Sequence, residues 1–407
     1  MRHIIISAIL SCLWIIMPGN AHAGTIKTPE LSAADQQLTR AINEFTFDIF
    51  KEVVRAGEDT NVVLSPFSIS YALGMAYNGA SGTVADSIRK VLHLGTLTDQ
   101  EINNACKNLM QALIALDPKV RFEIANSVWP RRCMPGQPFL DIVRNYFDSE
   151  VRPIDPADPH ACDTINNWVA DKTHQRIKEI IGCPIPDQAA IYLINAIYFL
   201  SDWTSKFDDI LTAQDYFQID TDSSIICEMM KQENEYSYIL NEEYQAAQIP
   251  YGNGAYRMAL VSPRGEGRLD DIIDTISNKS WNNVLSGFEK GSIVLMLPKF
   301  KNGFRLDLKP ILKAMGMTEA FEGNDFSRMD CIGADYIGEA LHKTYIRVNE
   351  KGTEAAAVSS MRLEGLVPIP RGIELKFNRP FLFIIYEDFT GTILFIGKIE
   401  KPKWEEG

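Results

Sequence analysis

Hydrophobic spacing changes character along this chain, being helical in the first half and alternating or continuous in the second. Leu38, Ile42, Phe45, Ile49 and Val53 recur at three- and four-residue intervals behind Ser32 and Asp35. That spacing puts them on one face of a helix, and the serine with a carboxylate three residues on closes the first turn. Thr98 and Glu101 repeat the signal ahead of Ile102, Leu109 and Leu113, and a third helix is expected from Cys162 to Ile181 on Ile165, Trp168, Val169, Ile177 and Ile180. Strand patterns follow. Val120, Phe122, Ile124, Asn126 and Val128 alternate, and Ala189 to Leu200 is an almost unbroken apolar run, as a strand buried on both faces requires. Further strands are expected at Ser292–Leu297, His342–Val348, Ile373–Phe377, Phe381–Tyr386 and Thr392–Ile396. Helices early and strands late make the class α+β with large sheets.

The first residues stand apart from this pattern. Arg2 and His3 precede a nearly unbroken apolar stretch from Ile4 to Met17, then Pro18, Gly19 and the small-x-small triplet Ala21-His22-Ala23. That is the layout of a secretory signal peptide, residues 1–23. Its apolar run of about 14 residues is short for a membrane span. The remainder, 24–407, has no Pro/Ser/Gly linker, internal repeat or low-complexity block, and is expected to form one domain.

A formal charge of −13, more negative still without Arg2, argues against nucleic acid and anionic membranes as partners. No Lys/Arg run offers a heparin groove. Cys106, Cys133, Cys162, Cys183, Cys227 and Cys331 remain after the leader, and secretion permits disulfides among them. Six cysteines allow 15 pairings, which sequence cannot choose between, and buried free thiols fit a chain of this size equally well. They are scattered without a CxxC pair, so no metal site and no cofactor is expected.

The most informative stretch is Asn349 to Pro370 (NEKGTEAAAVSSMRLEGLVPIP). Gly352 to Ser360 is small and weakly hydrophobic, a composition suited to an exposed loop. The same stretch also alternates: Thr353, Ala355, Ala357, Ser359, Met361 and Leu363 form one set, and Glu354, Ala356, Val358, Ser360, Arg362 and Glu364 a more polar one. Alternate residues of a strand face opposite sides, so the segment is written both as a loop and as a strand with one buried face.

That duality resembles the reactive-centre loop of the serpins, and six ordered motifs carry the resemblance across the chain. They are Asn61–Ser70 (NVVLSPFSIS), Asn195–Phe199 (NAIYF) with Trp203 and Phe207, Leu297–Phe300 (LPKF), Met315-Gly316-Met317 with Ala320-Phe321, Glu350–Ala357 (EKGTEAAA), and Asn378–Phe383 (NRPFLF). The resemblance implies three β-sheets surrounded by eight or nine helices, with an exposed reactive-centre loop at about 350–371. It implies a monomeric suicide-substrate inhibitor with no catalytic group of its own. A serine protease cuts the loop, the loop inserts into the main sheet, and the protease stays trapped as a covalent acyl complex.

By the family's spacing from Gly352 the reactive bond is Leu366–Val367, which directs the inhibitor to chymotrypsin-like or elastase-like enzymes. The hinge is Glu350, Gly352, Thr353, Ala355, Ala356 and Ala357. Ser65, Ser68, Asn195 and His342 match the shutter beneath the opening sheet. Trp203, Lys299 and Glu350 match the breach where the loop enters, with a Lys299–Glu350 ion pair expected. The alternatives are a non-inhibitory serpin acting as carrier, chaperone or storage protein, and a cross-class inhibitor of papain-like cysteine proteases. An enzyme is disfavoured: outside the leader the only histidines are His93, His160, His174 and His342, and there is no GxSxG, HExxH or Walker-type loop. Asn278-Lys279-Ser280 is a glycosylation sequon, usable in a eukaryotic secretory route.

Overall fold

The computed structural model describes residues 30–57, 61–131, 133–155, 157–185, 191–323, 325–331, 336–353 and 372–404. The leader, the reactive bond Leu366–Val367, and Ala355, Ala356 and Ala357 of the hinge lie outside the described residues.

The helices are α1 Ala33–Ala56, α2 Pro66–Gly79, α3 Gly82–Val91, α4 Asp99–Leu116, α5 Gln137–Phe147, α6 Ala161–Lys172, α7 Leu269–Thr275, α8 Asn278–Ser286, α9 Leu308–Ala314 and α10 Thr318–Glu322. The strands are β1 Val62–Leu64, β2 Arg121–Pro130, β3 Glu150–Val151, β4 Ile191–Asp202, β5 Ala213–Gln218, β6 Ser224–Leu240, β7 Tyr244–Tyr251, β8 Tyr256–Pro263, β9 Glu289–Pro298, β10 Phe300–Asp307, β11 Ile337–Val348, β12 Gly352–Thr353, β13 Ile373–Lys376, β14 Phe381–Glu387 and β15 Ile393–Ile399.

Both expected helix starts are present. Ser32 with Asp35 caps α1, and Thr98 with Glu101 caps α4. The third helix differs from expectation: it ends at Lys172, not Ile181. His174 and Gln175 turn the chain with positive φ, and Asn166 on α6 accepts from the amides of Ile180 (2.9 Å) and Ile181 (3.1 Å). Ile177, Ile180 and Ile181 are still buried, in a chain folded back on α6 and bridged to it by Cys162–Cys183. Burial preserved the apolar spacing after the helix had stopped. A second disulfide joins Cys133 to Cys331, while Cys106 and Cys227 are buried thiols, their pKa pushed by burial up to about 12 and about 11.

Among the described residues the strands form two hydrogen-bonded networks. One has six strands in the order β10-β11-β12-β4-β2-β3. The other has nine, β1-β15-β14-β8-β7-β6-β9-β13 with β5 on β6. Its two parts meet only where the last four residues of β6, Ser237–Leu240, pair with β7. Divided there, the networks make the three sheets expected. Among the described residues there are ten α-helices against the eight or nine expected, three of them of seven residues or fewer, α7, α9 and α10.

The central strand of the six-stranded sheet, β4, is buried on both faces over most of its length, which is why the apolar run at its start is continuous. Tyr192, Ile194 and Ala196 point toward α6 and its following chain, with Trp129, Ile165 and Val169. Ile191, Leu193, Ile197 and Phe199 point into the larger core with α1 and α2. α2 is itself buried at every position, so it carries no polar face for a periodicity argument to find.

Candidate functional site: a fork between two parallel strands

Two features of the six-stranded sheet converge on one seam. Over most of their length β4 and β11 pair directly and in parallel, from Ile191↔Ile337 to Ile197↔Thr344. At the top a third strand begins between them. The chain leaves β11 at Val348, reverses at Asn349–Gly352, and enters as β12, antiparallel to both neighbours. Thr353 pairs with Val348 on one side and Ser201 on the other, and Gly352 pairs with Asp202.

The reversal is held by local chemistry. The Asn349 side-chain oxygen accepts from the amides of Lys351 (3.0 Å) and Gly352 (3.2 Å), a turn that asparagine makes readily. The indole of Trp203 donates to the Asn349 carbonyl (2.9 Å), and the amides of Trp203 and Phe207 donate to the carbonyls of Lys351 and Glu350, both 2.8 Å. Trp203 stacks on Tyr251 at 4.3 Å, and the Tyr251 hydroxyl meets the buried Thr353 hydroxyl at 2.6 Å. Gly352 sits at φ 156°, and a Cβ there would overlap the Ser201 carbonyl and lie 2.7 Å from Asp202 Cα. Only glycine fits between the strands at that point.

The expected ion pair is formed. Lys299 Nζ lies 3.3 Å from Glu350 Oε1 and 2.8 Å from Glu228 Oε2, and Thr212 donates to the same Glu350 oxygen at 2.9 Å. With side-chain exposures of 14% for Lys299 and 10% for Glu350, this pair is screened less than a surface one.

Lower on the seam, Ser65, Ser68, Asn195 and His342 come together as the sequence motifs implied. His342 and Asn195 face each other across the parallel pairing. His342 Nε2 accepts from the Ser65 amide at 3.2 Å, so its proton sits on Nδ1, which donates to Asn195 Oδ1. That oxygen also accepts from the Ser68 hydroxyl at 2.9 Å. The Ser65 hydroxyl donates to the Leu394 carbonyl at 2.7 Å. All four residues are fully buried, and burial pushes the His342 pKa down to about 3, so the ring is neutral. The histidine touches the serine's backbone, not its hydroxyl, and this cluster is no nucleophile–base pair.

Sequence reasoning missed three participants. Asn126 on β2 lies directly opposite Asn195, accepts its side-chain amide and donates to the Ser68 carbonyl at 3.4 Å. A polar residue on the buried side of an alternating strand was the available signal. Thr344 donates to Val63 O at 2.7 Å. Tyr251 comes from a strand outside the sequence pattern altogether.

Comparison with known proteins gives the family and the fold. A family model described as Serpin (serine protease inhibitor) matches residues 40–402. An uncharacterized serpin-like protein of Thermococcus kodakarensis is 33% identical, over 91% of this chain and 87% of its own. Human neuroserpin is 31% identical, over 89% and 91%. Among solved structures, the native state of the thermophilic serpin tengpin superposes with a TM-score of 0.82 at 28% identity, covering 92% of this chain and 96% of that one. A match over nearly the whole chain, in sequence and in fold, places this chain in the serpin family.

Proposed function

We propose that this chain is a secreted suicide-substrate inhibitor of serine proteases, one domain over residues 24–407, cut at Leu366–Val367. The observation that carries the reading is the register of β12 between β4 and β11. Extended in that register, the strand brings Leu363 opposite Ile191 and Glu364 opposite Ile337, at the foot of the seam. A cut two residues beyond would free a segment long enough to fill the seam.

The same register supports the alternation. A strand continued in that register would set Ala355 and Ala357 beside Phe199 and Ile197, and Met361 and Leu363 beside Leu193 and Ile191, residues that face the larger core. Ser359 would then come between Asn195 and His342, on the register that pairs Thr353 with Ser201 and Val348, where a hydroxyl can join a polar network otherwise separated by insertion. Arg362 would come into the row of Glu339 on the same extension, a half-buried carboxyl whose pKa burial raises. Insertion exchanges one parallel pairing for two antiparallel ones, the more stable kind per residue. The chain's part is to offer the loop and the track; the acylation chemistry belongs to the protease.

Incubation with chymotrypsin, elastase and trypsin, followed by denaturing gels and mass spectrometry, tests this. The expected result is a denaturant-resistant complex with chymotrypsin or elastase and a released peptide beginning at Val367. Cleavage at that bond with no complex and no gain in heat resistance would overturn the inhibitor reading in favour of a non-inhibitory serpin.

A further inference from the structure

The C-terminal tail carries a residue beyond the reach of the family comparison, which ends at 402. Asn61 fixes the approach: its side-chain oxygen accepts from the amides of Glu400 (2.9 Å) and Lys401 (3.0 Å), and its nitrogen donates to the Lys401 carbonyl (2.8 Å). Pro402 is buried, and the Lys403 carbonyl accepts from the Lys301 amide at 2.9 Å, on the outer side of edge strand β10. This track delivers Trp404 to the top of the seam.

There the indole meets two cations. Lys299 Nζ lies 4.4 Å from the ring centroid and the Arg347 guanidinium carbon 4.6 Å. Both distances are within cation–π range, and tryptophan is the strongest such partner. Its own N–H is buried and has no hydrogen-bond partner among the described residues, so the side chain is held by its ring. Lys299 is the cation that grips Glu350, and Arg347 lies two positions from the turn residue Asn349.

We infer that Trp404 is a positioning residue for the hinge, a latch that fixes Lys299 against Glu350 and so keeps Asn349–Thr353 in its partly entered state. Ammonium groups on long flexible stems lose rotamer entropy when held; a ring over Lys299 selects the conformer that reaches Glu350 before the ion pair forms. The functional meaning of the latch rests on the proposed insertion mechanism, but the latch itself does not.

Native-state hydrogen exchange of the full chain tests it. The amides of Trp203 and Phe207 donate to the hinge carbonyls, so they report hinge release whether or not any protease is trapped. Trp404→Leu is expected to speed their exchange about tenfold, and Trp404→Phe less than about threefold. Ile384 and Ile396, in β14 and β15, are expected to be unchanged. In a Glu350→Gln background the Trp404→Leu effect should vanish. Unaltered exchange in Trp404→Leu, an equal acceleration in the Glu350→Gln background, or a rise spread to Ile384 and Ile396 would overturn the proposal. Should Trp404→Leu not fold, ring-fluorinated tryptophan at 404 keeps the shape while weakening the π face. Exchange must then climb with fluorine number, and a flat series refutes the latch. Failure of the wild-type chain to trap any protease would count against the inhibitor reading alone.

Discussion

Acid should weaken this protein through one buried ring, His342. In the folded chain its pKa is pushed down to about 3, against about 6.5 in an unfolded chain. Between those values the unfolded state binds a proton that the folded state refuses, so stability rises with pH across that window and falls as pH drops through it. At pH 7.5 both states are neutral and the ring contributes no pH dependence. At pH 5.0 the unfolded histidine is mostly protonated and the folded one is not, a loss of about 2 kcal/mol. Replacing His342 by Gln removes the titration, and at pH 7.5 it costs about 1–3 kcal/mol because the Ser65 amide or Asn195 loses its partner. The assay is urea unfolding followed by tryptophan fluorescence, on both proteins, at pH 7.5 and 5.0. Wild type should lose about 2 kcal/mol more than His342→Gln between the two. Other groups titrate in the same window. His93, whose pKa Asp48 raises through a hydrogen bond, contributes stability that is present at low pH and fades as pH rises. That contribution is common to both proteins and cancels in the difference. Equal acid losses in the two, within about 0.5 kcal/mol, would refute the assignment of His342 as the buried neutral ring.

Two substitutions at the fork should act in opposite places. Glu350→Lys sets a cation against Lys299 and removes the Thr212 acceptor; because Glu228 still holds Lys299, the cost should be on the order of 2 kcal/mol, below that of a fully broken buried pair. Faster spontaneous insertion or polymerisation on size-exclusion chromatography is the expected sign, and an unchanged monomer half-life would count against it. Gly352→Ala should expel β12, since a methyl there overlaps the Ser201 carbonyl; greater protease sensitivity at Lys351–Thr353 would show it, and an unaltered digestion pattern would mean the hinge does not sit where described.

Much of the site was legible because its chemistry is local in the chain. The small-residue stretch with period-two alternation after β11 reads as suited to both loop and strand, and beyond Thr353 it lies outside the described residues. Capping at Ser32 and Thr98 was readable for the same reason, since a first turn is closed by residues three apart. The continuous apolar run of β4 followed from burial on both faces. What the sequence could not supply were relations between distant segments. The stop of α6 at Lys172 depends on Asn166 capturing the amides of Ile180 and Ile181, a contact that leaves the apolar spacing intact. Asn126 joins Asn195 and His342 only because β2, β4 and β11 lie side by side. Pairing of Cys133 with Cys331 and of Cys162 with Cys183 awaited the fold, and so did Trp404, whose partners are Lys299 and Arg347.

The sequence by itself therefore determined the α+β class and the motifs that mark the family, because these rest on side-chain type and short-range spacing. Only the tertiary structure decided the register of Thr353 between Ser201 and Val348, the neutral state and tautomer of His342, and the reach of the C-terminal tail to the hinge. Each of those depends on which strands become neighbours and what they exclude from water, and burial and strand order are properties of the whole chain.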